Sequence, residues 1–128
     1  MNQTEEPTYH PFHLAIPVND LKKAKEFYGD ILGLPQGRTD PAKWIDYNFF
    51  GSQVVCHFAT STYNPKTIMA GNFPIPNFGV NLTKDQMTEV QGKLSKANIK
   101  YDMIVLEGKG EVMYLKDFTG NNLLFYPK

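Results

Sequence analysis

The sequence predicts an α+β fold in which two βαβββ repeats form curved mixed sheets around a central cavity, with the helices outside. Three observations predict this fold. The order of strand, helix and three strands occurs twice along the 128 residues. Each predicted helix carries one apolar stripe, so each packs one side against a sheet. The strands alternate apolar and polar residues, so the sheet face turned away from the helix is left to line a cavity.

The first repeat spans about residues 11–60 and begins with a strand and a helix. The apolar positions of the strand alternate, at Phe12, Leu14, Ile16 and Val18. Pro17 restricts this strand to the edge or the end of a sheet, because proline has no N–H to donate to a neighbouring strand. The apolar stripe from Leu21 to Leu32 predicts the helix, and Gly33 supplies its C-terminal end.

A short strand and a hairpin complete the first repeat. Their strands are predicted near residues 35–39, 44–50 and 53–59. Gly51-Ser52 suits a two-residue type II′ turn in the hairpin. This turn pairs Asp46 with His57 on one face, so we expect the carboxylate to orient the imidazole or to add an oxygen ligand beside it.

The second repeat spans about residues 77–127 and follows a linker of about residues 61–76 that shows no periodicity. Thr83 and Gln86 form a capping-box pattern at the start of the second helix, whose apolar stripe consists of Met87, Val90, Leu94 and Ala97. The strands are predicted at residues 78–82, 101–106, 111–116 and 122–126. The two repeats are expected to form one domain, residues 1–128, because this length is typical of a single domain.

The composition excludes several classes of partner. Thirteen basic residues balance 13 acidic residues and neither sign forms a run, which argues against a nucleic-acid partner. No apolar run approaches the roughly 20 residues that cross a bilayer, and the polar N-terminus lacks the pattern of a signal peptide. The single cysteine, Cys56, cannot form an internal disulfide, which fits a reducing compartment. We therefore expect a cytoplasmic protein without a membrane partner.

The candidate cavity residues lie on the sheet face turned away from the helices. Repeat symmetry aligns His13 with Asn77 and His57 with Leu124, so these four positions are predicted to surround the cavity. Two mid-strand histidines at related positions suggest metal ligation or proton transfer, but polar residues lining a wet cavity give the same pattern. Strand parity adds Trp44 and Asn48 as cavity-lining candidates, and the predicted pairing with His57 adds Asp46.

Four segments of the chain resemble one family. They are residues 12–21 (Phe-His-Leu-Ala-Ile-Pro-Val-Asn-Asp-Leu), 24–33, 76–80 (Pro-Asn-Phe-Gly-Val) and 117–121 (Asp-Phe-Thr-Gly-Asn). They resemble the glyoxalase, bleomycin-resistance and extradiol dioxygenase superfamily, also called the vicinal oxygen chelate superfamily. The resemblance covers nearly the whole chain, and it is specific to the fold rather than to one reaction.

The resemblance implies one divalent metal ion (Fe, Mn, Ni or Zn), held by His and Glu side chains from the first and last strands of each repeat. His13 and His57 stand at two such positions and are the predicted metal ligands. A dioxygenase-like subgroup has His where this chain has Asn77 and Glu where it has Leu124. Because an amide is a weak ligand and leucine cannot coordinate, the metal site is predicted to be partly degenerate. The predicted contacts of an organic ligand are Trp44, Asp46, Asn48, Asn77 and Leu124.

Three functions remain open from the sequence. The loss of two ligand positions favours a protein that binds a small organic ligand. The retention of His13 and His57 favours a metal-dependent enzyme, either an extradiol-type dioxygenase or a lyase or isomerase. A structural module would fill the cavity with side chains such as Leu124 and Trp44. A homodimer is also expected, because the resemblance implies one and because pairing covers the open edges of the sheets.

Overall fold

A computed structural model of the protein describes residues 10–59 and 68–128. The chain divides into two units, residues 1–64 and residues 65–128. Each unit contains a strand, a helix and three further strands in the predicted order, so the α+β class and the repeat are confirmed. Within the described ranges, no helix is long and apolar enough to cross a membrane.

The first unit contains a four-stranded mixed sheet. Its strands are β1 (His13–Val18), β2 (Gln36–Asp40), β3 (Trp44–Phe49) and β4 (Ser52–Phe58). They lie in the order β1-β4-β3-β2, with β1 parallel to β4 and the other pairs antiparallel. β1 is an edge strand, as Pro17 predicts.

The helix of the first unit begins as α1 (Leu21–Ala24) and continues in π-helical geometry over Lys25–Ile31. Asp20 caps it, because the Asp20 carboxylate accepts a hydrogen bond from the backbone N–H of Lys23 at 3.1 Å. The helix packs on β3, where the rings of Tyr28 and Tyr47 are 6.0 Å apart. In each unit, the helix covers one face of the sheet, which we call the helix face. We call the opposite face of the sheet the site face.

The second unit contains a five-stranded mixed sheet and a separate hairpin. The hairpin consists of β5 (Ile68–Ala70) and β6 (Phe73–Ile75). The sheet consists of β7 (Asn77–Phe78), β8 (Asn81–Leu82), β9 (Asp102–Leu106), β10 (Gly110–Lys116) and β11 (Asn122–Pro127). β7 and β8 both run parallel to β11, which is followed across the sheet by β10 and β9. The hairpin falls within the segment that the sequence predicts only as a linker.

The second helix is α2 (Lys84–Lys96), and its predicted capping box is confirmed. Thr83 Oγ1 accepts a hydrogen bond from Gln86 N at 3.2 Å, and Gln86 Oε1 accepts one from Thr83 N at 2.8 Å. The buried residues of the helix are Met87, Val90 and Leu94. These are three of the four apolar positions in the predicted stripe.

The turn between β3 and β4 differs from the prediction. The two turn residues are Phe50 and Gly51, whose φ values of 53° and 96° are typical of a type I′ turn. Asn48 Oδ1 accepts a hydrogen bond from Gly51 N at 2.7 Å and stabilises this turn. The predicted Gly51-Ser52 turn is therefore wrong, and so is the pairing of Asp46 with His57, because Asp46 lies opposite Val55.

Candidate functional site

The site face of the first sheet carries the predicted polar residues. β1 contributes His13, β3 contributes Trp44, Asp46 and Asn48, and β4 contributes Gln53, Val55 and His57. His13 and His57 are exposed, whereas Asp46 is only 1% exposed at the middle of the sheet. The face therefore combines exposed imidazoles at its borders with a buried carboxylate at its centre.

The two predicted metal ligands lie far apart on this face. The parallel register places His13 beside Gln53 and His57 beside Pro17. The two histidines are thus offset by four residues along adjacent strands, which corresponds to about 13 Å. A metal ion bound to two imidazoles lies about 2 Å from each ligating nitrogen, so this spacing does not favour a shared ion within the first unit.

Trp44 and His57 form an aromatic pair on the site face. They are direct cross-strand partners, and their ring centroids are 6.5 Å apart with 41° between the ring planes. Trp44 is partly exposed and His57 is exposed. The pair therefore presents a flat apolar surface beside a group that can donate or accept a hydrogen bond, as sites for small organic molecules often do.

Asp46 supplies a buried hydrogen-bond acceptor beside this pair. Gln53 Nε2 donates a hydrogen bond to Asp46 Oδ2 at 3.3 Å, so the Gln53 amide helps to orient the carboxylate. The side-chain oxygen of Asn48, by contrast, is engaged with the turn at Gly51. Asp46 is therefore the acceptor that lies nearest the centre of the face, and Asn48 has a structural role in addition to its predicted contact with a ligand.

The site face of the second sheet is largely apolar. Leu124 is 4% exposed and forms a buried cluster with Val112 and with Phe73 of the β5–β6 hairpin. Four partly buried residues pack against this cluster: Ile104, Leu106, Tyr114 and Tyr126. The predicted ligand position at Leu124 is thus part of an apolar surface on which the hairpin packs.

A hydrogen-bond network fixes the polar residues of the second site face. Asn77 Nδ2 donates to the carbonyl of Pro74 at 2.9 Å, and Asn122 Nδ2 donates to the carbonyl of Pro76 at 3.0 Å. The Tyr114 hydroxyl donates to Asn122 Oδ1 at 2.7 Å. The amide nitrogen of Asn77 is therefore engaged with the chain that leads into β7.

Tyr114 and Asn122 are two site-face residues that the sequence pattern does not single out. Burial, with a smaller effect of the Asp102 carboxylate, raises the pKa of the Tyr114 phenol, and the hydroxyl donates a hydrogen bond to Asn122. Alternation along β10 places Tyr114 on the opposite face from Met113 and Leu115, and this is the signal that could have identified it. Its partner Asn122 carries no such signal, because their contact depends on the register between β10 and β11.

The strand registers also change the alignment of the two repeats. β1 places His13 beside Gln53, and β7 places Asn77 beside Asn122. The residue two positions beyond the partner is Val55 in the first unit and Leu124 in the second. Val55 therefore corresponds to Leu124, and His57 corresponds to Tyr126, so the alignment of His57 with Leu124 is shifted by two residues.

The donor set within either unit does not fit a bound metal ion. Across residues 10–59 and 68–128, no three His, Cys, Asp or Glu side chains lie close enough together to hold one. The second unit offers Leu124, which has no donor atom, and Asn77, whose amide is a weak neutral ligand. The histidines of the first unit are separated as described above.

Comparison with known proteins agrees with this architecture. The family model of the Glyoxalase/Bleomycin resistance protein/Dioxygenase superfamily matches residues 10–125. The chain belongs to this superfamily. No curated protein is significantly similar to the chain in sequence.

Solved structures of the superfamily share the fold. A glyoxalase/bleomycin resistance protein/dioxygenase from Alicyclobacillus acidocaldarius is 28% identical, with a TM-score of 0.75 over 98% of this chain and 92% of that one. A lactoylglutathione lyase from Agrobacterium tumefaciens is 18% identical, with a TM-score of 0.67 over 95% and 96% of the two chains. The fosfomycin resistance protein FosX from Listeria monocytogenes is 14% identical, with a TM-score of 0.70 over 89% and 87%. At 18% and 14% identity, the last two show the fold of this superfamily member and not its reaction.

Proposed function

We propose that this protein binds a small organic molecule and that binding does not require a tightly held metal ion. The proposal rests on the contacts that the side chains of Asn77 and Leu124 make. Asn77 is engaged with the Pro74 carbonyl, and Leu124 is buried against Phe73 and Val112. Two positions that hold metal ligands in the related subgroup thus serve packing and chain geometry here.

The chemistry of each site face, taken by itself, supports an aromatic or mostly apolar ligand with a few polar groups. The first face offers the Trp44 indole and the His57 imidazole, beside the buried Asp46 carboxylate. The second face offers the phenols of Tyr114 and Tyr126 beside an apolar cluster. Aromatic surfaces with a small number of fixed polar groups are typical of sites for small molecules.

A metal-dependent enzyme of the superfamily is the alternative, and one observation favours it. Both His13 and His57 are exposed on the site face, where an ion or a substrate has access to them. In that case His13, His57 or both would hold a divalent ion (Fe, Mn, Ni or Zn) that polarises oxygen atoms of a substrate. The two functions are distinguished by the metal content of the purified protein, which falls on replacement of His13 or His57 only if the protein is the metal-dependent enzyme.

We further propose that the protein is a cytoplasmic homodimer. Open sheet edges support a dimer, because each described sheet has strands with one unpaired side, among them β2 and β9. Val105 on β9 is 73% exposed, which adds apolar surface at one of these edges. Light scattering coupled to size-exclusion chromatography tests this directly, and a mass of one chain, 14.6 kDa, would refute the dimer.

Fluorescence of Trp44 provides the test of ligand binding. The chain has one tryptophan, so its emission reports on the site face alone. Aromatic acids, phenols and heteroaromatic compounds should be titrated with and without a chelator, with binding also scored by native mass spectrometry. We expect at least one chemical class to change the emission saturably and independently of the chelator. Binding that is lost with the chelator and restored by one metal ion would overturn the proposal.

A further inference from the structure

A groove lies on the helix face of the second sheet, beside the start of α2. Its volume is about 340 Å³, which is within the range of sites for small ligands. α2 forms one wall, and the ends of β8 and β11 with parts of β9 and β10 form the other. Because it lies on the helix face, this groove is separate from the predicted ligand contacts Asn77 and Leu124 on the site face of the same sheet.

The floor of the groove is apolar. The apolar lining residues are Leu82, Met87, Met103 and Pro127. Leu82 and Met87 are 1% and 8% exposed, so they form a well-packed base, whereas Met103 and Pro127 are partly exposed. Methionine side chains adapt easily to the shape of an apolar guest. The floor therefore suits a short hydrocarbon chain.

Two lysines stand together at one end of the groove. Lys128 N donates a hydrogen bond to the carbonyl of Leu82 at 2.7 Å, and Lys84 follows Leu82 by two residues at the first position of α2. Both lysines are exposed and line the groove, and the positive end of the helix dipole lies beside them. Glu111 on β10 is the one acidic residue among the groove's lining residues. The β10–β11 register places Glu111 opposite Pro127, so it lies near Lys128, and the two lysines outnumber it. The charged side chains that line the groove therefore favour an anion over a cation.

The geometry points to a binding site for a small free carboxylic acid with a linear apolar chain of about six to ten carbons. The carboxylate lies between Lys84 and Lys128, and the chain lies over Met87 and Met103. The charge of the lysine end and the apolar floor together select this chemistry, since neither a cation nor a fully polar anion matches both parts. The site is independent of the ligand proposed for the site face.

Three probes of equal chain length test the charge preference: octanoate, octylammonium and octanol. Their binding to the full ¹⁵N-labelled chain is measured by amide chemical-shift changes. We expect octanoate to bind at least tenfold more tightly than octylammonium, with the largest changes at the amides of residues 82–91, 103 and 128. Affinity should rise roughly threefold for each methylene from hexanoate to octanoate. Equal binding of octylammonium, or changes centred on Trp44 and Asp46, would overturn the proposal.

Charge variants test which side chains hold the carboxylate. Lys84→Gln and Lys128→Gln should each weaken octanoate binding three- to tenfold without changing octanol binding. Glu111→Gln should strengthen octanoate binding, because it removes the repulsive charge. Lys96→Gln, in the last turn of α2, is the matched control and should have no effect. Unchanged octanoate binding in both groove variants would refute the site.

A blocked groove and an anionic lipid surface provide two further tests. Thr88→Phe places a ring in the groove from the exposed side of α2 and should abolish octanoate binding while the protein remains folded.

Vesicles containing phosphatidylglycerol present anionic lipid headgroups without a free acid, and we expect them not to sediment the protein. Sedimentation that depends on Lys84 would make the groove a membrane contact and would contradict the proposal of a free acid.

Discussion

Trp44 and His57 lie directly opposite each other on β3 and β4, with their ring centroids 6.5 Å apart on the site face of the first sheet. The sequence pattern predicts Asp46 opposite His57 instead. With Trp44 in that position, the imidazole borders an aromatic surface rather than a carboxylate, which suits contact with an organic ligand more than the orientation of a metal ligand.

Removal of the His57 ring should weaken ligand binding. For a ligand that changes Trp44 emission, we expect His57→Ala to lower the binding affinity by about two- to tenfold. The reason is that contact between an aromatic ligand and the imidazole ring contributes about 0.5–1.5 kcal/mol beyond the area it buries. Fluorescence titration measures this change. His10→Ala is the control, since His10 lies at the β3–β4 turn, where its backbone N–H donates to the Gly51 carbonyl. Equal loss of affinity in both variants would contradict the assigned role of His57.

Gly79 should tolerate no side chain. It lies between β7 and β8, and a Cβ atom added there would overlap the backbone carbonyl of Leu124. We expect Gly79→Ala to lower the free energy of unfolding by about 3 kcal/mol, because the strands would have to separate. Gly92→Ala on α2 is the matched control: nothing lies within 4 Å of its added Cβ, so the variant should be about 0.5–1 kcal/mol more stable. Urea unfolding of both variants measures these changes, and a stable Gly79→Ala variant would contradict the close approach.

Tyr47 should be replaceable by phenylalanine. Tyr47 is buried on the helix face, and its hydroxyl has no hydrogen-bond partner within residues 10–59 and 68–128. A buried donor without a partner costs about 1–3 kcal/mol. We therefore expect Tyr47→Phe to raise the free energy of unfolding by about 1 kcal/mol at pH 7. A loss of more than about 1 kcal/mol in thermal or urea unfolding would indicate a partner for the hydroxyl.

The same substitution should change the alkaline pH dependence of stability. Burial, with smaller effects of Cys56 and Asp30, raises the pKa of Tyr47 well above its ordinary value. Above about pH 10 the unfolded chain loses this proton and the folded chain retains it, so stability falls as pH rises, by up to about 1.4 kcal/mol per pH unit for this group. Tyr47→Phe should show a smaller fall between about pH 9.5 and 11, and identical slopes would contradict the raised pKa.

A double substitution should create a metal site in the second unit. Asn77 and Leu124 lie on adjacent strands two residues out of register, so their Cα atoms are about 8 Å apart, and His and Glu side chains at these positions reach a common ion. We expect Asn77→His with Leu124→Glu to bind divalent ions more tightly than either single variant. Leu124→Glu alone should be destabilised by about 2–4 kcal/mol, because it places a carboxylate beside Phe73 and Val112. Calorimetry measures the metal affinity, and no gain in the double variant would contradict the assigned site face.

The arrangement of strands and helices was predictable from local patterns. The edge position of β1 follows from Pro17, and the start of α2 follows from Thr83 and Gln86. In both cases the decisive feature is local: a proline that cannot donate to a neighbouring strand, and a capping pair three residues apart. The family resemblance rests on four segments of the sequence, and the family match over residues 10–125 agrees with it.

The details of the site depended on contacts that local patterns do not encode. The β3–β4 turn uses Phe50 at positive φ, a conformation that is uncommon for aromatic residues, and the Asn48 side chain supports it. This turn shifts the register by two residues and puts Trp44 instead of Asp46 opposite His57. Similarly, Asn77 is engaged by Pro74 of β6, within a hairpin whose sequence shows no alternation.

We infer that the site works without a tightly bound metal ion. The most direct test is the elemental analysis of untagged protein purified without chelator, followed by Trp44 fluorescence titration of the best ligand before and after treatment with a chelator. We expect well under one metal ion per chain and an unchanged ligand affinity. Near-stoichiometric metal that disappears in both His13→Ala and His57→Ala, together with loss of ligand binding, would contradict it and would favour the metal-dependent enzyme.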